Sequence, residues 1–324
     1  MRKVIGIIIV FTLILSGCIK DKKSTDTGRD NYIVCSLGEL PASLNLSDLD
    51  SSRYAGIDSC VFEGLVTMDR KGNIEPGLAE SWSVSSDGIG YKFNIRKDAK
   101  WSDGKAISAQ DFVSFFESIL SGRNAGYFAY DLSPVFGVSD YSKGRKSYDS
   151  VAIRSLDKNT LEIRLNKACP DFLKILSKPQ YGLRKDKNLL DKWATAYGSI
   201  RYSGPFVIEG VDNKGAVLAK NPFYWNCSEI TGEKFLLSES KSKEEALADF
   251  ETGKTDLLLN PPISEIERII TGDSAVIVNS GNIISLVFNP LNKGITKDMA
   301  LRKSIVSNID TKNLKDSYLE EFQP

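Results

Sequence analysis

Apolar and polar positions alternate with a period of two at several places along the chain, and each such stretch predicts a half-buried strand. Tyr91, Phe93 and Ile95 alternate with Lys92, Asn94 and Arg96, and Leu161, Ile163 and Leu165 alternate with Glu162, Arg164 and Asn166. Apolar runs at 32–36, 206–209, 216–219, 234–237 and 256–259 read as further strands, with Asp212-Asn213-Lys214-Gly215 joining two of them as a hairpin-like pair. Elsewhere the spacing changes to three and four. Phe112, Phe115, Phe116, Ile119 and Leu120 give a helix an aromatic face, with Ser108 at the N-cap and Asp111 in the acidic slot of a capping box. Ala246, Leu247 and Phe250 form the inner face of a helix over 242–252 that Gly253 stops. Residues 171–176 carry an apolar helical face, and 263–270 read as a further short helix. The strand, helix, strand order from 234 to 259 predicts a crossover unit and a parallel pair.

Turn chemistry punctuates these elements. Glu75-Pro76-Gly77, Ser86-Asp87-Gly88, Ser102-Asp103-Gly104 and Asp157-Lys158-Asn159 all predict reversals. Residues 37–52 read as irregular, and the Gly- and Tyr-rich stretch 122–130 reads as a loop. Trp82 and Trp101 are large apolar anchors beside the turns. No internal repeat is visible.

The first thirty residues have a different pattern. Arg2 and Lys3 precede an apolar run at 4–15, short for a membrane span, and Leu15-Ser16-Gly17-Cys18 resembles the lipobox of bacterial lipoproteins. That resemblance implies cleavage before Cys18 and a lipid thioether on it; a plain signal peptide or signal anchor with a chance cysteine is the alternative. Residues 19–30, IKDKKSTDTGRD, lack apolar periodicity and read as a flexible tether with a reach on the order of 20 Å.

Composition narrows the chemistry. At 324 residues the chain is long enough for a large core and more than one domain. Its 42 lysines and arginines equal its 42 aspartates and glutamates, so there is no basic excess to attract nucleic acid. It contains no histidine, which removes Ser-His-Asp and Cys-His catalysis and every histidine-based metal site. S-x-x-K pairs at Ser155 and Lys158 and at Ser238 and Lys241 leave a Ser-Lys hydrolase as a remote alternative. Cys35, Cys60, Cys169 and Cys227 lack CxxC spacing, which argues against a metal site; they are either buried free thiols or paired, with three full connectivities open. No cofactor-binding motif is present.

Four ordered groups of residues resemble the extracellular solute-binding proteins of family 5, the peptide and nickel transporter class. The first runs through Ala79-Glu80-Ser81-Trp82, Asp87-Gly88, Tyr91-Lys92-Phe93-Asn94-Ile95-Arg96 and Ala99-Lys100-Trp101-Ser102-Asp103-Gly104. The second is Ser203-Gly204-Pro205-Phe206 with Lys220-Asn221-Pro222 and Tyr224-Trp225; the third is Phe250-Glu251, Gly253 and Asp256. The fourth and weakest is Val287-Phe288-Asn289, Leu301-Arg302-Lys303 and Ile309-Asp310.

The resemblance implies a mixed α/β (α+β) fold of the periplasmic-binding-protein kind with an extra small lobe. It divides the chain into a lipoprotein signal (1–18), a tether (19–30), lobe I (31–53 and 177–275), a small inserted lobe (54–176) and the start of a second large lobe (276–324). Members of the family run on for about two hundred more residues, so the second lobe is expected to be truncated here. The implied function is that of a lipid-anchored, extracytoplasmic receptor delivering peptides to the permease of an ABC importer, on the outer face of the cytoplasmic membrane, without catalysis. Peptide is the commonest substrate class, held through backbone hydrogen bonds as an added strand. Nickel chelates, haem and sugars also occur, though the lack of histidine counts against a direct nickel ligand set. By resemblance, Gly38, Glu39 and Leu40 follow the first strand where the ligand backbone pairs, Tyr127 and Tyr130 reach the cleft from the small lobe, and Asn282 and Ile283 face it from a crossing strand. The alternative is a truncated relative that binds no peptide and acts, if at all, as a surface interaction protein.

Overall fold

The computed structural model describes residues 32–38, 40–45, 51–69, 71–121, 125–259, 261–271 and 298–308. The lipobox with Cys18, the tether, Glu39, Asn282 and Ile283 lie outside the described residues.

Two sheets dominate. In the first, β1 (Ile33–Gly38), β8 (Phe206–Asp212), β9 (Gly215–Lys220), β10 (Lys234–Glu239) and β11 (Leu257–Leu258) take the order β11-β1-β10-β9-β8. In the second, β4 (Ala79–Val84), β5 (Gly90–Ile95), β6 (Ile153–Ser155) and β7 (Thr160–Arg164) take the order β4-β5-β7-β6, antiparallel throughout. β2 (Val66–Met68) and β3 (Ile74–Pro76) form a small antiparallel ribbon.

Each sheet has its own core. On the second sheet, the alternation of β5 buries Tyr91, Phe93 and Ile95, and β7 buries Leu161 and Ile163. Helix α2 (Ala109–Ser121) lays Phe112, Phe115, Phe116, Ile119 and Leu120 on that face. Helices α3 (Ala125–Asp131), α4 (Val138–Ser142) and α5 (Phe172–Leu176) add Phe128, Val138 and Phe172 to the same cluster. On the first sheet, Cys35, Phe206, Ile208, Ala216, Leu218 and Leu237 face Ile57 and Val61 of α1 (Ser51–Val61). Leu190 of α6 (Lys187–Leu190) and Trp193 of α7 (Trp193–Ala196) complete that cluster. Helices α8 (Lys243–Glu251), α9 (Ile266–Thr271) and α10 (Met299–Ser307) follow in the chain.

Local chemistry explains the element ends. The Asp111 carboxylate accepts from both the N–H and the hydroxyl of Ser108 at 2.8 Å, which is the return arm of the predicted capping box, and it also pairs with Lys185. In α8 the Ser242 hydroxyl accepts from the Glu245 N–H at 3.1 Å, and Gly253, at φ 73°, ends the helix.

Four expectations are corrected. Glu75 and Pro76 are strand residues, not a turn: they pair with Thr67 and Val66, and the chain only bends at Gly77 and Leu78, whose N–H groups go on to the Leu65 and Gly64 carbonyls. Pro76 is tolerated because the ribbon has only two strands and needs few donors. The irregular stretch expected over 37–52 ends earlier, since residues 51 and 52 open α1, a helix to which no periodicity points. Its buried face mixes Ile57 and Val61 with Asp58, so no apolar stripe announces it. The stretch 125–131, expected as loop, is the helix α3, held by burial of Phe128 and Ala129 despite Gly126. The crossover strands β10 and β11 are parallel but not neighbours, because β1 lies between them and pairs in parallel with both. The four cysteines Cys35, Cys60, Cys169 and Cys227 are free thiols, Cys35 buried and the others half-buried. Burial pushes the Cys35 and Cys60 thiols up to about 11.

Candidate functional site

The parallel strands β1, β10 and β11 all end on the same side of their sheet, and the crevice outside the carboxyl ends of parallel strands is where open α/β sheets hold ligands. Gly38 closes β1 there, opposite Glu239 at the end of β10, and the register shifts between Ser36 and Gly38. Such an irregularity frees backbone groups from the ladder at the rim. The Leu40 N–H donates to Glu239 Oε1 at 3.1 Å, and Leu40 packs half-buried against the first sheet's core. Ser36 and Ser240 lie 3.1 Å apart, hydroxyl to hydroxyl. Gly38 and Leu40 are therefore brought to one place.

Glu239 belongs to that rim as well and escaped the sequence reading. Its only signal was position, at the end of a strand whose parallel neighbour is about two hundred residues away in the chain (|i−j| of 199 for the contact with Leu40). The exposed Glu239 carboxylate is a hydrogen-bond acceptor that ties the segment after β1 to the end of β10.

Tyr127 and Tyr130 sit together on the outer side of α3, three residues apart and so on adjacent turns. Tyr130 is 82 % exposed. The Tyr127 hydroxyl accepts from Gln180 Nε2 at 3.1 Å, and its ring meets Phe128 edge-on at 5.4 Å between centroids. Lys178 and the Tyr181 hydroxyl both donate to Asp131, at 2.9 Å each, and fix the end of α3 against the chain as it leaves the second sheet. Among the described residues, no hydrogen bond or ring contact joins the tyrosines of α3 to the rim of β1 and β10.

The Ser155 hydroxyl donates to the Asp157 carbonyl at 2.7 Å and the Ser238 hydroxyl to the Cys35 carbonyl at 3.4 Å, so both S-x-x-K serines are engaged by main chain. Among the described residues, no group of three or more Cys, Asp or Glu side chains is placed to hold a metal ion, and no helix is long and apolar enough to cross a membrane.

The sequence profile of the bacterial extracellular solute-binding proteins, family 5, matches residues 73–323. The chain belongs to that family. The family is one of solute-binding proteins, not of enzymes. The chain is 29 % identical over 268 residues to the oligopeptide-binding protein OppA of Bacillus subtilis, covering 78 % of this chain and 48 % of that one. It is 34 % identical over 210 residues to AliA, an oligopeptide-binding protein of Streptococcus pneumoniae, covering 61 % and 32 %. The chain thus spans about half or less of the length of these relatives. Among solved structures, the periplasmic oligopeptide-binding protein OppAIV of Borrelia burgdorferi superposes with a TM-score of 0.74 at 24 % identity, covering 90 % of this chain and 59 % of that one. The murein tripeptide-binding protein MppA of Escherichia coli gives 0.74 at 24 % identity, with 90 % and 58 % covered. The mixed α/β fold is accordingly that of the periplasmic binding proteins.

Proposed function

We propose that this family 5 protein is the receptor of a peptide importer of the ABC class, held at the outer face of the cytoplasmic membrane by a lipid on Cys18 and passing its solute to permease subunits. The observation that carries the reading is the family match over residues 73–323. OppA of Bacillus subtilis and AliA of Streptococcus pneumoniae, both oligopeptide-binding proteins by name, support peptide as the solute. The rim of β1 and β10 offers what an extended peptide needs: backbone groups released by the irregularity at Gly38, with a carboxylate beside them.

In this reading Gly38, Glu39 and Leu40 line the peptide backbone, and Glu239 fixes the segment that carries them. Tyr127 and Tyr130 offer ring faces from α3, and Asn282 and Ile283 contribute from the segment before α10. The presence of two separate cores supports a division into lobe I and a small inserted lobe, which the cores exchange at 62–65 and 183–190 rather than at the 53/54 and 176/177 boundaries expected by resemblance; a second large lobe from about residue 276 follows from the resemblance alone.

Calorimetric titration of the purified chain with pooled short peptides tests the reading. Saturable heat is expected, and Glu239→Ala, which releases the Leu40 N–H, should weaken it by about five- to tenfold, the worth of one ordinary, solvent-exposed hydrogen bond. No saturable heat with any peptide, from a chain shown by circular dichroism to be folded, would overturn it. Palmitate labelling in cells, lost in Cys18→Ser, tests the anchor.

A further inference from the structure

The chain passes between its two cores twice, and each passage carries a buried ionisable side chain. Phe62 belongs to the core of the first sheet and Leu65 to that of the second, with Glu63 between them; Leu183 and Leu190 belong to the two cores in turn, with Arg184 between. The passages are bonded to each other. The Leu183 N–H donates to the Glu63 carbonyl at 2.8 Å. The Ser203 hydroxyl accepts from the Glu63 N–H at 3.1 Å and donates to the Leu183 carbonyl at 2.6 Å.

The Glu63 side chain, 9 % exposed, gathers a third segment into this junction. Its Oε1 accepts from the Tyr224 hydroxyl at 2.6 Å and its Oε2 from the Trp225 indole N–H at 2.7 Å. The Arg96 guanidinium lies over the Trp225 ring at 3.4 Å from its centroid, and Arg96 Nε is committed to the Gly77 carbonyl at 2.8 Å. The ionisable groups acting on the carboxyl are thus Tyr224 after β9 and Arg96 after β5; Asp58 and Arg184, flanking Phe62, are engaged with each other at 3.4 Å. Arg96 makes no ion pair with Glu63 among the described residues. An ionised Glu63 would be a buried charge met by two neutral donors, with its nearest cation stacked on a ring.

We infer that Glu63 is a proton-operated latch at the junction of the two cores, holding Tyr224 and Trp225 in place as the neutral acid and loosening the junction when it ionises. In the neutral form the carboxyl O–H donates to the Tyr224 oxygen while the other oxygen still accepts from Trp225. When the proton leaves to solvent, the carboxylate gains by drawing in water or pulling Arg96 off the Trp225 ring. Burial, opposed by the two donors and by Arg96, raises the Glu63 carboxyl to about 7, so the change falls near neutral pH. The inference is independent of which solute the protein binds.

The test follows the Trp225 indole ¹⁵N resonance in the full chain from pH 5 to 9, assigned by its loss in Trp225→Phe. A one-proton titration near neutrality is expected, absent in Glu63→Gln, whose amide mimics the neutral acid. In Tyr224→Phe the midpoint should rise, because the lost donor favoured the carboxylate. Hydrogen exchange at the Leu183 amide, corrected for intrinsic rate, should be at least about threefold faster in the wild type than in Glu63→Gln at pH 8, and equal at pH 5. A flat wild-type profile, or a titration that persists in Glu63→Gln, overturns the assignment to Glu63. Equal exchange at pH 8 overturns the latch. Should Glu63→Gln fail to fold, an unshifted midpoint in Tyr224→Phe overturns the proposal.

Discussion

At the scale of single residues, the positions that tolerate least change are those where two segments of backbone meet. Gly215 opens β9 at φ 137°, a conformation that side-chain-bearing residues rarely adopt, and a Cβ placed there would lie 2.0 Å from the Leu237 carbonyl oxygen. Gly215→Ala must therefore push β9 away from β10 or change its backbone conformation. A loss of about 2 kcal/mol or more is expected, read as a lower urea midpoint at an unchanged slope. The hairpin around residues 212–215 was legible, since Asp212-Asn213-Lys214-Gly215 carries the chemistry of a turn. That Gly215 also abuts β10 was not, because its neighbour there is set by the path of the whole sheet. The aromatic residues of α2 show the opposite case. Their spacing alone placed Phe112, Phe115 and Phe116 on one face, and all three are buried.

Among the elements, α1 shows why a helix can escape a reading by periodicity. Its inner face is not wholly apolar, because Asp58 on that face meets Arg184 from the other passage between the cores. Arg184 also donates to the carbonyls of Leu44 at 2.8 Å, Gly182 at 3.1 Å and Pro179 at 3.3 Å, so one guanidinium ties α1, the segment before it and the returning chain together. Burial raises the Asp58 carboxyl and lowers the Arg184 guanidinium, each opposed by the other's charge. Removing one partner leaves an uncompensated buried charge. Arg184→Met should cost about 3–5 kcal/mol, and the double variant Arg184→Met with Asp58→Leu should recover a large part of it. Chemical denaturation of the four proteins of that cycle measures both. A double variant no more stable than Arg184→Met would show that the carbonyl contacts, not the charge, hold the element.

At the scale of the whole molecule, the junction gives stability a dependence on pH whose sign is fixed. The Glu63 carboxyl is raised in the fold from an unfolded value near 4.5 to about 7, so between those values the folded chain holds a proton that the unfolded chain has released. Its contribution to stability is therefore undiminished below about pH 4.5, falls as pH rises to about 7, and is flat beyond. The difference between the wild type and Glu63→Gln, measured by urea unfolding at pH 5 and pH 8, should change by an amount on the order of 3 kcal/mol in favour of the variant at pH 8. The exposed Asp69, Asp87 and Asp157, lowered chiefly by hydrogen bonds from neighbouring side chains and backbone, act in the opposite sense and only at more acid pH. A difference that does not vary with pH would remove Glu63 as the source.

By itself the sequence determined the parts whose cause is local. Strand alternation, the aromatic face of α2, the capping box at Ser108, the helix stop at Gly253 and the turns at Gly88 and Gly104 depend on residues a few positions apart, and spacing records them directly. The order of the motifs was also enough to indicate the family. What only the tertiary structure decided is which distant segments meet: β1 between β10 and β11, Glu239 beside Leu40, and Glu63 against Tyr224 and Trp225, 161 and 162 residues away. Such partners leave no periodic trace, because a buried polar side chain needs one well-placed donor or acceptor, and only the folded path of the backbone fixes where that group stands.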